Sequence, residues 1–142
     1  RFWRRQRDQA RPFWEAARDG FDAGEWRAVT GRIFEEAAAA VRAGRSPRDA
    51  DAQRLVDDWL GLNARAVGRA PDATFARELL ASVERGVDPR AERLWELVSV
   101  LRGCDDAGLH TRAFHWLLDA LRWRVARSEG TVAVEPAPPD RG

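Results

Sequence analysis

Few side chains in this sequence carry the chemistry of catalysis or metal binding. His110 and His115 are its two histidines, and Cys104 is its one cysteine. Their spacing puts the imidazoles on different faces of a helix, which makes a poor pair of zinc ligands. His115 and Asp119 share a face, and that arrangement predicts an ordinary surface pair. Cys104 stands directly before Asp105 and Asp106, whose charges raise a thiol pKa rather than lower it. It reads as a small filler or a loop thiol, not as a nucleophile. The sequence holds no Gly-rich phosphate loop, GxSxG, HExxH or CxxC. The prediction is therefore no catalytic residue, no metal site and no cofactor.

What the sequence does hold is aromatic surface. Seven tryptophans, Trp3, Trp14, Trp26, Trp59, Trp95, Trp116 and Trp123, accompany six phenylalanines, with no tyrosine or methionine. Each indole brings roughly 150–250 Å² of area and one N–H that wants an acceptor. A helical domain can fill its core with Leu, Val and Ala, so the surplus rings point to a surface that receives something bulky and apolar. All 24 basic residues are arginine. Their even spread fits a GC-rich coding sequence better than a built guanidinium–indole site. The opening Arg1-Phe-Trp-Arg-Arg-Gln-Arg7 mixes arginine with aromatics, but no further basic stripe supports a nucleic-acid surface. It reads as a solvated amphipathic face.

The elements that must position these rings have a helical period throughout. Residues 1–19 read as short or kinked helix, broken at Pro12. Asp22 to Glu25 forms a capping box, followed by an apolar face of Trp26, Val29, Ile33, Phe34, Ala37 and Val41 and a stop at Gly44. Ser46-Pro47 opens a third helix as N-cap and N1, with Ala52, Leu55, Val56, Trp59, Leu60, Asn63 and Val67 facing inward and an end near Gly68. Asp72 caps a fourth, carrying Phe75, Leu79, Leu80 and Val83 and stopped by Gly86. Asp88-Pro89 starts a fifth, carrying Leu94, Leu97, Val98 and Leu101 on one face and stopped by Gly103. A turn over 104–108 leads to a last helix of about 17 residues holding Phe114, Leu117, Leu118, Leu121 and Val125. From Ser128 onward the Pro-rich composition predicts a tail. No alternating run is long enough for a strand.

The fold class is thus all-α with five to six helices: a helical ligand-binding domain over 1–127, with 1–20 as mobile lid helices, and a tail over 128–142. The length suits one domain with a core of its own. Net charge is +1, which directs the protein neither to nucleic acid nor to an anionic membrane. A lone cysteine and the lack of a membrane-spanning run favour the cytoplasm. A chain opening on Arg1 is expected to be part of a longer protein.

The order of several segments resembles the TipAS-type antibiotic-recognition domain of MerR-family transcriptional regulators. The resemblance rests on Trp26 opening a helix, Ala40-Val-Arg-Ala-Gly44, Ser46-Pro47, and Asp51-Ala-Gln53 leading to Trp59. It continues with Asp88-Pro89-Arg90, Arg93-Leu94-Trp95-Glu96-Leu97, Leu101-Arg-Gly103 and Ala113-Phe114-His115-Trp116-Leu117, and it spans residues 13–126 of an actinobacterial type of sequence. It implies a globin-like helical effector-binding domain with a deep apolar cleft. The implied partner is a bulky hydrophobic, multi-ring antibiotic, and DNA is reached only through an attached domain absent from these residues. A full-length homodimer, or a stand-alone drug-sequestering protein conferring resistance, follows from the same likeness. The sequence departs from the family after Trp59, where Leu60-Gly-Leu-Asn63 holds no cysteine, so covalent capture is not carried over. The stretch from Asp88 to the last helix is also longer than in thiopeptide-binding members. The predicted ligand-binding set is Phe13, Trp14, Trp26, Phe34, Trp59, Asn63, Trp95 and Trp116. The competing reading is a helical protein–protein interaction module with an exposed Trp/Arg patch.

Overall fold

The computed structural model describes residues 21–101, 103, 106 and 108–130. Five helices follow one another: α1 Ala23–Arg42, α2 Ala50–Ala66, α3 Ala73–Gly86, α4 Pro89–Leu101 and α5 Leu109–Ser128. The fold is all-α, with no strand among the described residues. Phe13 and Trp14, like the rest of the expected lid over 1–20, lie outside the described residues, as do Cys104 and residues 131–142.

Local chemistry sets the helix ends. Asp22 accepts from the amides of Gly24 (2.9 Å) and Glu25 (3.1 Å), which satisfies two of the N–H groups orphaned at the start of α1. At its other end Gly44 takes φ +65°, so that Gly44 N donates to Val41 O (3.1 Å) and Arg45 N to Ala40 O (2.9 Å). Gly68 repeats this Schellman geometry after α2 with φ +68°, and Arg69 N donates to Ala64 O at 2.9 Å. Two boundaries differ from the sequence reading. Helix α2 begins at Ala50, not at Ser46-Pro47, because Asp49 provides the stronger cap and accepts from Ala52 N at 2.7 Å. Ser46 instead accepts from Arg48 N in the turn before it (3.2 Å). Helix α5 has 20 residues and runs through Ser128, where the composition alone had placed the start of a tail.

The core lies between α1, α2, α3 and α5. Ile33 and Ala37 from α1, Val56 and Trp59 from α2, Phe75 from α3, and Leu117 and Leu121 from α5 are all buried in it. Ala37, Ala52, Ala64 and Ala120 are each 0% exposed, and such small side chains let helix axes approach closely. Polar links cross the same seams. Arg124 donates to Gln53 Oε1 (2.9 Å), Gln53 O (3.0 Å) and Asp57 Oδ1 (2.6 Å), fastening α5 to α2. Trp116 Nε1 donates to the Arg45 carbonyl at 2.9 Å, tying α5 to the turn after α1.

Helix α4 stands apart from this core. It buries no residue, and its apolar face is exposed: Leu94 36%, Leu97 54% and Leu101 86%, with Val100 59% beside them. The amphipathic pattern marks the helix, but an apolar face does not by itself secure burial. Helices α1, α2 and α3 already cover α5, so most of the apolar stripe of α4 stays exposed.

Candidate functional site

The loose docking of α4 leaves a cleft between it, α1 and α5. On α1, Ile33 points into the core at 1% exposure, while Phe34, one residue and about 100° further round, faces the α4–α5 seam half-buried. On α5, His110 and Phe114 are one turn apart and share a face. The Phe34 ring lies parallel to both, 5.4 Å from the His110 imidazole at 15° and 6.3 Å from the Phe114 ring at 1°. His115 meets Phe114 edge-on (5.7 Å, 71°), and its Nε2 is 2.6 Å from Glu92 Oε1 on α4. That pair is the polar link holding α4 to α5. Three residues on, Trp95 extends from the same face of α4 with 52% of its surface exposed.

Trp95 and His110 line two adjoining hollows. The larger, ≈ 570 Å³, is bordered by Gly31, Phe34, Ala38 and Val98, with Glu35 and Arg42 toward its rim. The smaller, ≈ 210 Å³, has walls from Asp88, Glu92, Thr111 and Phe114. Gly31 helps keep the larger one open: a Cβ built there meets nothing within 4 Å. At the mouth, Arg112 hydrogen-bonds Asp106 at 2.6 Å and holds that carboxyl below the usual carboxylate range, with Arg42 adding a smaller electrostatic pull. The larger hollow suits a flat apolar body, with the Phe34 and His110 rings and the Trp95 indole among its walls.

The predicted residues do not form one wall. Phe34 and Trp95 meet at this cleft. Trp59 and Asn63 do not reach it, being 6% and 5% exposed in the core, where Asn63 Nδ2 donates to Trp59 O (2.8 Å) within their own helix. They are corrected from ligand contacts to packing. Trp116, 9% exposed, borders a different hollow of ≈ 350 Å³ near Ala40, Arg45 and Asp51. Trp26 sits by a third, ≈ 190 Å³, beside Phe21 and Leu62. Trp123 is covered by the Arg127 guanidinium 5.2 Å above its ring, so one surplus indole is used in a cation–π contact. The expected His115–Asp119 pair does not form. His115 reaches Glu92 across the helix seam, and Asp119 pairs with Arg122 at 3.0 Å.

Sequence reasoning missed Gly31, Glu92, His110 and Phe114. The i, i+4 spacing of His110 and Phe114 was the available signal, but it gains meaning only when Phe34 is known to face it. Among the described residues, no group of three or more His, Cys, Asp or Glu is placed to hold a metal ion. No helix there is long and apolar enough to cross a membrane.

The chain matches no family model, no curated protein and no solved structure.

Proposed function

We propose that this is a non-enzymatic ligand-binding domain whose α1–α4–α5 cleft takes a bulky, multi-ring, antibiotic-like compound. The observation that carries the reading is the parallel Phe34–His110–Phe114 stack open to the half-exposed Trp95. A stack of this kind has an unfilled face on which another flat ring gains dispersion and excludes water. The TipAS-type resemblance supports the same reading, under which the domain is the cytoplasmic sensor of a homodimeric MerR-type regulator, with DNA bound by another domain. A stand-alone drug-sequestering protein would use the same cleft. The test is titration with a chemically broad panel of aromatic antibiotics, followed by tryptophan fluorescence and thermal shift. A saturable response should raise the melting temperature by mass action and vanish in Trp95→Ala. A flat response across the panel would refute the proposal.

A second reading has its own observation. Leu94, Trp95, Leu97, Val100 and Leu101 make a contiguous exposed apolar strip on α4, the kind of surface that marks protein–protein contact. Under that reading the domain is a helical interaction module. Its signature is a mass by light scattering that rises with concentration or with an added partner and falls in Leu97→Glu.

A further inference from the structure

The smaller hollow differs from the rest of the surface in its charge. The chain carries 24 arginines and no lysine, yet none of the arginines lines this hollow. Its charged walls are Asp88 and Glu92, and its aromatic walls are Trp95, Phe114 and His110. Each carboxylate uses one oxygen in the fold: Asp88 Oδ1 accepts from Arg90 N at 2.8 Å, and Glu92 Oε1 faces His115 Nε2 at 2.6 Å. The second oxygen of each makes no hydrogen bond with a described residue. Ring faces carry negative quadrupole charge and attract an organic cation within about 6 Å, most strongly where water is partly excluded. Two carboxylates beside such faces add a Coulombic attraction and no compensating arginine.

We infer that the ligand is cationic: a planar ring system lies in the larger hollow against Phe34 and His110, and an alkylammonium arm enters the smaller one past Trp95. This rests on the cleft being the binding site and adds the chemical class of what it binds. Trp95 borders both hollows, so its indole contacts the ring with one edge and the ammonium with its face. The ≈ 210 Å³ volume has room for a trimethylammonium group.

The experiment uses two probes of equal shape: an acridone carrying a trimethylammoniopropyl arm, and the same ring with the neutral tert-butylpropyl arm. Each is titrated into the full chain by calorimetry. The charged probe should bind about tenfold more tightly. Asp88→Asn combined with Glu92→Gln should bring the ratio of the two Kd values to about one. Asparagine still caps a helix and glutamine can still meet His115, and an unaltered circular-dichroism melt verifies the fold of this variant. If both probes bind the wild-type chain equally and Phe34→Ala weakens both, the cleft reading stands and the cationic inference is overturned. If neither probe binds, both are overturned. A charge preference that survives the double substitution would also overturn the assignment to Asp88 and Glu92.

Discussion

Trp59 and Trp95 look equivalent in the sequence, and the structure separates them by burial, so truncating each to alanine should have unequal consequences. Trp59 is 6% exposed and belongs to the buried core cluster. Removing it leaves an enclosed void and should cost about 3–5 kcal/mol, a large part of a total stability on the order of 5–15 kcal/mol. Trp95 is 52% exposed. Half of a side chain of roughly 250 Å² is about 120 Å² covered, worth roughly 3 kcal/mol at most by area. Its loss opens on solvent along a helix that buries nothing, so the expected cost is about 1–2 kcal/mol. Urea unfolding followed by far-UV circular dichroism measures both, and the same Trp95→Ala sample is then tested for binding. Comparable losses from the two substitutions, or a greater loss from Trp95→Ala, would refute the division into core and cleft rings. So would a well-folded Trp95→Ala domain that binds aromatic compounds as the parent does.

Gly31→Ala should raise stability by roughly 0.5–1 kcal/mol in thermal unfolding, since it removes a mid-helix glycine and its Cβ meets open space. Gly31→Phe should place a ring in the cleft and abolish ligand binding measured by calorimetry. Asp49→Ala should cost about 1 kcal/mol in urea while Ser46→Ala costs a few tenths at most, because Asp49 and not Ser46 caps α2. Trp116→Phe should lose about 1 kcal/mol with little change in packing, from the hydrogen bond to the Arg45 carbonyl. Asp106, held low mainly by Arg112, binds its proton more readily in the unfolded chain. Its small contribution is therefore complete above the usual carboxylate range and is lost as pH falls through the lowered pKa. Asp106→Asn should flatten that acid limb in melting temperature against pH.

The helices were legible residue by residue because their causes are local. Asp22, Asp72 and Asp88 stand where caps are needed, Gly44 and Gly68 supply left-handed stops, and the faces of α2 and α5 repeat at helical spacing. Even the apolar stripe of α4 was visible. What the chain could not state is which stripe finds a partner. Burial is decided by how many helices compete for the same central surface, and α5 is already covered by three of them before α4 arrives. The cleft follows from that competition. Phe34, His110 and Phe114 lie up to 80 positions apart in the chain, and no local rule brings them face to face. Asn63 and Trp59 carry the right chemistry for a ligand site, but packing turns both inward. Sequence alone determined an all-α chain rich in rings. Tertiary structure decided which rings are core and which, Phe34 and Trp95 among them, border an open cleft, because exposure belongs to the assembled surface and not to any segment of it.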